Sequence, residues 1–371
     1  MKNSAILVFR ICALGDFIIA TPALKKLRQC FPNHKIIFLT STSSKTVQKK
    51  KVKSYIGESD DLPWVKMAMP HLIDDVITID NFLSFSTFLG VRNYLKKHYR
   101  VSFGITMVAS GGSWTGKMKK VIYCSLLLGR VPLYGWRIPS ARFDRGIDKL
   151  YQAGKLTHHV ISAFHFLKEM KLGELPPQND VEFDLRPDPQ AKSWADDWAR
   201  EYLPVEGSFI SLAPGSLLPF KQWPLEKYIS LVQFLIENYP KYQIVILGLK
   251  NDKEIGDKLA AISPDRMHNL AGQTSIDQSA ALLAKSELLI GNDGGANHLG
   301  AAMGCTVITI ITGVMYPGTI EPWNNEHLTV RHPVSCSPCY EVRFCPEGHR
   351  RCIVDISVEM VLSKVRMVLG H

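Results

Sequence analysis

Short apolar runs alternate with amphipathic stretches along the first half of the chain. Runs with the length and β-branched content of buried strands are followed by stretches in which apolar side chains recur at helical spacing. The predicted strands cover residues 5–9, 35–39, 75–79 and 101–106, and the predicted helices cover residues 18–29 and 82–97. This order of strand, turn, helix and strand is typical of a parallel, doubly wound sheet. The Gly-, Trp- and Arg-rich stretch at residues 110–157 predicts no element.

The same alternation restarts in the second half, after residue 190. Residues 174–190 are rich in Pro and lose periodicity, which predicts a linker. The later strands are predicted at residues 209–213, 243–247, 267–270, 287–291 and 306–311, and the helices at 191–202, 225–239, 252–262, 275–285 and 296–303. A chain of 371 residues exceeds the size at which one core usually stops growing. We therefore expect two α/β domains with Rossmann-like, doubly wound sheets, at residues 1–180 and 191–371.

Charge is distributed unevenly between the two halves. Up to Arg186 the chain carries 28 Lys and Arg against 14 Asp and Glu, a formal charge of +14, whereas the remainder carries 16 against 20, a formal charge of −4. A basic half either binds a polyanionic partner, such as a phosphorylated lipid at a membrane surface, or has a solvated surface that binds no partner. The "KKKVK" run at residues 49–53 has the same two interpretations. No zinc-finger, RNP-like or long basic helical pattern indicates a nucleic-acid partner.

The apolar runs are too short to span a bilayer, which needs about 20 consecutive apolar residues. Arg10 and Asp16 interrupt the first apolar segment, and no small-residue cleavage site follows it cleanly. We interpret this segment as a strand entering a helix rather than as a signal peptide. These features predict a cytoplasmic protein, with peripheral contact to the inner face of an anionic membrane if the basic half binds lipid.

The first candidate for chemistry is the segment "RICALGDFIIATPALKKL", residues 10–27. Gly15 permits a tight turn and the close approach of a ligand, and Asp16 lies where the helix begins. A carboxylate in this position either caps the helix or removes a proton from an acceptor hydroxyl. The segment has no G-x-G-x-x-G spacing, which argues against a dinucleotide oxidoreductase.

The second candidate is the loop "SLAPGSLLPFKQWP", residues 211–224. The amides of Gly215 and Ser216, the Ser216 hydroxyl and the charge of Lys221 can hold a diphosphate. The Walker spacing is absent, which argues against an ATPase. Taken alone, the segment is equally compatible with an ordinary loop.

The third candidate is "LLIGNDGGANHLGAAMG", residues 288–304, in which a strand runs into a helix. Amides at Gly294 and Gly295 form a cradle for a diphosphate, and Asp293 can contact ribose or sugar hydroxyls. His298 in the first helical turn can donate to a phosphate or a leaving group, its alternative being a capping or packing role.

The fourth candidate is the cysteine-rich segment near the end of the sequence, "CSPCYEVRFCPEGHRRC". Its spacing, C-x2-C-x5-C-x6-C, is compatible with a tetrahedral zinc or iron site and equally with a reduced, metal-free loop. The candidate ligands are Cys336, Cys339, Cys345 and Cys352.

Six segments, in order and over nearly the whole chain, resemble glycosyltransferase family nine, the heptosyltransferases. They are "ALGDFIIATPALKKLRQCFP", "LAPGSLLPFKQWPLEKY", "VILGLKNDKE", "NLAGQTS", "LLIGNDGGANHLGAAMG" and the tail from "CSPC" to "HRRCIVDIS". The resemblance implies the GT-B architecture, in which two Rossmann-like domains face each other across a cleft. It also implies that the N-terminal domain binds the acceptor and that the C-terminal domain, with its cysteine-rich tail, binds the nucleotide-sugar donor.

The resemblance implies an inverting, metal-independent transfer of heptose from ADP-heptose, with no cofactor required for catalysis. The implied acceptor is a phosphorylated, lipid-linked saccharide of the lipopolysaccharide core, and Asp16 matches the catalytic base. The residues that match the donor site are Gly15, Ser216, Lys221, Glu254, Thr274, Asp293, Gly294, Gly295 and His298. Among them, Thr274 matches a position near the adenine, and Glu254 matches the residue that holds the ribose, a role for which Asp252 competes.

Two departures from the family pattern affect the donor site. A motif that is commonly Asp-Thr-Gly is Asp293-Gly294-Gly295 here, and Leu217 stands where a second hydroxyl can occur. Alternatives to the heptosyltransferase are therefore a related transferase with another nucleotide sugar or with a protein or small-molecule acceptor, and an inactive homologue that binds nucleotide sugars. Retention of Asp16 and His298 argues against the inactive homologue.

Overall fold

The computed structural model describes residues 3–10, 13–41, 62–79, 84–107, 114–136, 148–149, 151–154, 156–203, 208–341 and 344–370. The chain divides into two compact units, Met1–Arg186 and Pro187–His371, here called unit 1 and unit 2. The basic run at residues 49–53 lies outside the described residues. Within the described residues, no helix is both long and apolar enough to cross a membrane.

Unit 1 is built on a five-stranded parallel sheet with the strand order β3-β2-β1-β4-β5. Its strands are β1 (Asn3–Phe9), β2 (Lys35–Ser41), β3 (Asp75–Ile79), β4 (Tyr99–Thr106) and β5 (Leu133–Tyr134). Its helices are α1 (Leu14–Cys30), α2 (Pro63–Lys66), α3 (Phe85–His98), α4 (Trp114–Leu128), α5 (His159–Ser162) and α6 (His165–Glu169).

The central strand β1 is apolar because both faces of the sheet are covered. From Ala5 to Phe9 every side chain is buried, and α3 and α4 contribute Val91, Leu95 and Leu127 to the core on one face. Beyond Phe9 the chain turns into α1, whereas β4 approaches from the other side of β1. The carboxyl ends of β1 and β4 therefore flank a topological switch point, the usual position of ligands in such sheets.

The segment predicted to be a linker is partly packed against unit 1. The Arg186 amide donates to the Met67 carbonyl at 2.8 Å, and Val181 and Leu185 are buried. The Lys25 ammonium and the Glu182 carboxylate are 2.8 Å apart. Apolar side chains spaced among prolines therefore help to hold residues up to Arg186 on unit 1.

Unit 2 repeats the plan with a second five-stranded parallel sheet, in the order β10-β9-β6-β7-β8. Its strands are β6 (Ser208–Ala213), β7 (Tyr242–Ile246), β8 (Met267–Asn269), β9 (Leu288–Asn292) and β10 (Thr306–Ile310). Its helices are α7 (Pro189–Tyr202), α8 (Leu225–Asn238), α9 (Lys253–Ala260), α10 (Ile276–Leu283), α11 (Gly295–Ala302), α12 (Arg351–Val354) and α13 (Val358–Leu369).

The switch point of unit 2 lies between β6 and β9. The chain runs from β6 to β7 and β8 on one side, and β9 and β10 occupy the other side. Ala213 pairs with Gly291 in the ladder, so the segments that follow these two residues leave the sheet side by side. The two parallel, doubly wound sheets confirm the α/β fold class predicted from the sequence.

Candidate functional site

Two side chains predicted to bind the donor meet at the switch point of unit 2. Lys221 ends the short 3-10 helix Pro219–Lys221 beyond β6, and Asp293 follows β9 directly. The Lys221 Nζ lies 2.6 Å from Asp293 Oδ2, and both side chains are largely buried. A partly desolvated ammonium at the carboxyl ends of two parallel strands can receive an anionic group of a ligand.

The loop that carries Lys221 is fastened to the end of β9 by Asn292, which is 2% exposed. The Asn292 side-chain oxygen accepts from the Trp223 amide at 3.0 Å. Its Nδ2 donates to the Pro214 carbonyl at 2.6 Å and to the Gly215 carbonyl at 3.4 Å. One buried amide therefore fixes both ends of the loop at residues 214–223.

Gly215 has no room for a side chain because the Asp252 carboxylate occupies the adjacent space. A Cβ at position 215 would overlap the carboxylate, and one at Gly248 would approach Asp252 Cβ at 2.9 Å. The Leu249 amide donates to Asp252 Oδ2 at 2.7 Å. Burial raises the pKa of the Asp252 carboxyl above its usual range, and the Leu249 amide opposes this shift.

Ser216 lies in the same loop, partly buried. The Leu218 amide donates to its Oγ at 3.3 Å, and the Gln222 side-chain amide donates to its carbonyl at 3.1 Å. These bonds hold the loop in a tight turn next to Gly215. Leu217, which replaces a hydroxyl of the family pattern, is 68% exposed.

Helix α11 begins at Gly295, so the amides of its first turn are directed away from the body of the helix. Gly294 is the N-cap in an extended conformation, and the nearest atom to an added Cβ would be the Asn292 carbonyl oxygen at 3.7 Å. His298 lies in this first turn, partly buried. The N-terminus of an eight-residue helix beside Asp293 suits the binding of a phosphate.

Glu254 and Thr274 lie farther along the same edge of the sheet. Glu254 Oε1 accepts from Lys258 Nζ at 2.7 Å across one turn of α9, and 80% of the Glu254 side chain is exposed. This hydrogen bond to Lys258 holds the pKa of Glu254 below its usual range. Thr274 follows β8, and its Oγ1 lies 2.8 Å from Ser279 Oγ. Of the two acidic candidates for the ribose, Asp252 lies against the Gly215 loop and Glu254 points into solvent.

Asp16, the predicted base, lies in the first turn of α1, with half of its side chain exposed. Arg10 follows β1, is almost fully buried, and places Nη2 3.6 Å from Asp16 Oδ1. Its Nη1 donates to the Met107 carbonyl beyond β4 at 2.9 Å. Arg10 therefore bridges the switch point of unit 1, with one guanidinium nitrogen on the Met107 carbonyl and the other near Asp16. Gly15 precedes Asp16 in α1.

A second cation lies near this pair. Burial lowers the pKa of the Lys120 ammonium, the charge of Arg10 lowers it further, and Asp16 opposes the shift. Lys120 projects from α4, and its ammonium has no hydrogen-bond partner among the described residues. Arg10 and Lys120 thus both interact electrostatically with the Asp16 carboxylate at the switch point of unit 1.

The four cysteines of the tail are partly exposed and unpaired. Burial raises the pKa of the Cys352 thiol, the Gly313 amide opposes the rise, and the thiols of Cys339, Cys345 and Cys336 add to it. Cys336 Sγ lies 3.8 Å from His349 Nε2. Within the described part of the chain, no three His, Cys, Asp or Glu side chains are grouped so that they could hold a metal ion.

The sequence did not identify Arg10, Lys120 or Asn292 as functional residues. Arg10 follows directly after β1 and Asn292 is the last residue of β9, both next to a switch point, and that position could have indicated them. Lys120 gave no such signal, because its proximity to Asp16 depends on how α4 packs on the sheet.

Comparisons with known proteins identify the family and the fold of the chain. The profile of "Glycosyltransferase family 9 (heptosyltransferase)" matches residues 121–349. The lipopolysaccharide heptosyltransferase 2 of Escherichia coli K12 is 29% identical over 174 residues, 45% of this chain and 48% of that protein. The match with curated relatives of this kind thus spans about half of their length.

Solved structures share the fold over the entire chain. The family 9 glycosyltransferase of Veillonella parvula aligns with a TM-score of 0.72 at 17% identity, covering 100% of this chain and 98% of that one. The E. coli heptosyltransferase WaaC with ADP aligns with a TM-score of 0.62 at 17% identity, covering 98% and 99%. These alignments confirm the GT-B fold expected from the sequence.

Proposed function

Because the chain belongs to glycosyltransferase family 9, we propose that it is a heptosyltransferase that transfers heptose from ADP-heptose to a lipopolysaccharide core saccharide. The observation that carries the proposal is the donor site of unit 2. Lys221, Asp293 and the start of α11 lie together at the switch point between β6 and β9. This is where α/β folds bind nucleotides.

In the proposed donor complex, the diphosphate lies over the carboxyl ends of β6 and β9. The loop amides at Gly215 and Ser216, the Lys221 ammonium and the amides at Gly294 and Gly295 would hold its oxygens. Asp293 and His298 would contact the heptose and the phosphate next to it. ADP is the nucleotide we expect, in part because the solved E. coli heptosyltransferase with the same fold contains ADP.

We assign the ribose to Asp252 in preference to Glu254. The Asp252 carboxylate lies against Gly215 and Gly248, next to the proposed diphosphate loop. Glu254 is held by Lys258 on the outer face of α9. Thr274 remains our candidate for the adenine end, since it lies beyond β8 on the same side of β6 as Asp252.

The proposed reaction is a direct displacement at the anomeric carbon. An acceptor hydroxyl oxygen forms a bond to that carbon while the bond to the diphosphate oxygen breaks, and the configuration inverts. Asp16 takes the hydroxyl proton as general base, and the leaving ADP carries away the electron pair. Lys221, His298 and the amides of α11 stabilise the charge that develops on the diphosphate, so the proposed mechanism uses no metal.

The charge around Asp16 supports an anionic acceptor. Arg10 and Lys120 supply two positive charges beside one carboxylate, and an acceptor phosphate or carboxylate would balance the excess. A phosphorylated core saccharide carries such groups close to its hydroxyls. We propose that unit 1 binds this acceptor while the enzyme lies at the inner face of the cytoplasmic membrane.

The spacing of the four tail cysteines left a zinc or iron ion and a reduced, metal-free loop as alternatives, and within the described residues their side chains are not grouped as a metal site. No step of the reaction is assigned to such an ion. Elemental analysis of protein purified without chelators decides between metal and a reduced cysteine loop, since one equivalent of zinc or iron would require the four thiols to rearrange around it.

Calorimetric titration with ADP, UDP, GDP and ADP-heptose, without added metal, tests the donor assignment. We expect selective binding of ADP and ADP-heptose, followed by heptose transfer to a core acceptor. Preference for UDP or GDP would assign the protein to another donor sugar. No binding of any nucleotide would favour an inactive homologue and refute the proposed activity.

A further inference from the structure

Four large apolar side chains of α3 and α4 are exposed to solvent. Phe85 is 73% exposed, Leu89 38%, Ile122 53% and Leu126 60%. Burial of such side chains is favourable in proportion to the apolar area removed from water, so a cluster of them indicates a surface that contacts a partner.

These side chains form two adjacent stripes. Phe85 and Leu89 are one helical turn apart on α3, as are Ile122 and Leu126 on α4, and both pairs face away from the buried residues of their helices. The Phe88 and Tyr123 rings join the helices, with centroids 5.6 Å apart, and the Phe85 ring stacks on Phe88 at 6.5 Å. We call this exposed surface of α3 and α4 the α3–α4 face.

The charged side chains that helices α3 and α4 themselves carry have a single sign. The sequence from residue 81 to residue 143 contains no Asp or Glu and ten Lys and Arg. Lys96, Lys119 and Arg130 are exposed, and the first two lie on the same stripes as the apolar side chains. Apolar side chains flanked by cations, on helices that carry no carboxylates of their own, are typical of surfaces that bind anionic lipid.

We propose that the α3–α4 face docks on an anionic lipid bilayer, with Phe85, Leu89, Ile122 and Leu126 entering the headgroup region. A second copy of this chain is the less favourable occupant, because pairing two such faces would bring their lysines together. This inference extends the proposed function, in which the acceptor is lipid-linked, but it does not depend on catalysis.

Flotation of the full-length protein with vesicles tests the docking, without donor or acceptor. We expect binding to vesicles of phosphatidylethanolamine with phosphatidylglycerol, and weak binding to phosphatidylcholine vesicles. The triple variant Phe85→Ser, Ile122→Ser, Leu126→Ser should lose binding by about tenfold or more. Lys96→Glu with Lys119→Glu should weaken binding by about tenfold, and added salt should weaken binding of the native protein.

A matched control removes three exposed apolar side chains elsewhere, with Tyr151→Ser, Leu172→Ser and Met367→Ser. This variant should bind vesicles like the native protein, and the melting temperatures of all variants should stay close to native because the substituted side chains are exposed.

Native-like vesicle binding by the Phe85, Ile122 and Leu126 triple variant overturns the proposal, as does equal binding to neutral vesicles. Self-association that disappears in the triple variant would assign the face to a second copy instead. Vesicle binding by a protein that shows no heptose transfer in a separate assay would refute the proposed heptosyltransferase activity and leave the docking surface intact.

Discussion

Two glycines of the proposed donor site differ in the space around them. At Gly215 a Cβ would overlap the Asp252 carboxylate, whereas at Gly294 the nearest atom would be 3.7 Å away. The extended backbone of Gly294 also suits any residue. The sequence indicates both glycines as phosphate-binding, but only packing distinguishes the obligatory glycine from the replaceable one.

We therefore expect Gly215→Ala and Gly294→Ala to behave differently in calorimetry with ADP. Gly215→Ala should weaken binding by about tenfold or more, because displacement of the loop costs about 1–3 kcal/mol and each 1.4 kcal/mol is tenfold. Gly294→Ala should bind ADP like the native protein. Equal losses in the two variants would contradict the assigned packing.

Asp16 can be tested as a base separately from donor binding. Asp16→Asn keeps the shape of the side chain and removes proton acceptance, so turnover should fall by about 100-fold or more. Donor affinity should change little, because the proposed donor contacts lie in unit 2. Asp180→Asn, an exposed substitution in the same unit, serves as the control. Weakened ADP-heptose binding with normal turnover would exclude the base role.

Lys120 should reduce stability in the native protein. The pKa of Lys120 in the folded protein is lower than its unfolded value of 10.5. Below pH 10.5 the unfolded chain therefore binds this proton more tightly than the folded protein does, which favours unfolding. Lys120→Met should therefore unfold at a higher urea concentration at neutral pH, with the gain disappearing as the pH rises toward 10.5. Lys119→Met, its exposed neighbour, should show no such gain.

The Lys120→Met substitution is also expected to weaken binding of the acceptor. If Lys120 binds an acceptor anion, its loss should raise the acceptor KM by about tenfold, the scale of one hydrogen bond to a charged group. A variant that is both more stable and fully active would remove Lys120 from the acceptor site.

At the scale of elements, the loop at residues 214–223 depends on its connection to β9. Asn292 bonds to Pro214, Gly215 and Trp223, and the Trp223 indole in turn donates to the Ile356 carbonyl at 2.9 Å, between α12 and α13. The loop, the strand and the tail helices of unit 2 are thereby joined through two buried side chains.

Asn292→Ala should lower the free energy of unfolding by about 1–3 kcal/mol, because it leaves buried backbone groups unpaired. It should also weaken ADP binding, since Lys221 would lose its fixed position. Asn238→Ala removes a side-chain amide at the exposed end of α8 and should change neither property. Loss of stability with unchanged ADP affinity would restrict Asn292 to a structural role.

Element positions followed from the sequence where strands are buried on both faces. The strand at residues 75–79 was predicted with the bounds Asp75–Ile79, and most others differ by one or two residues. Helix α4 was not predicted, because Gly116 and three lysines obscure the apolar pattern of its first two turns. The loops that follow the strands could be assigned to ligand binding from their glycines. The hydrogen bonds of Arg10 and Asn292 could not be predicted, because they depend on which strands are neighbours in the sheet.

At the scale of the molecule, the two units share a plan and differ in charge. Each sheet has its central strand flanked by a switch point, and each switch point holds a buried cation next to an aspartate. The boundary at Arg186 separates a unit of formal charge +14 from one of −4. This asymmetry fits the proposed division of labour, since an acceptor with several phosphates would experience the stronger field at unit 1.

The contact between Lys221 and Asp293 has a consequence for turnover. In this structure the Asp293 carboxylate is already paired with the Lys221 ammonium, which is the group proposed to bind the diphosphate. Asp293 is tethered, so it competes with ADP at a local concentration far above that of a free anion. The native pair would thus act as an internal competitor that weakens the binding of donor and of spent nucleotide alike and helps to release ADP after transfer.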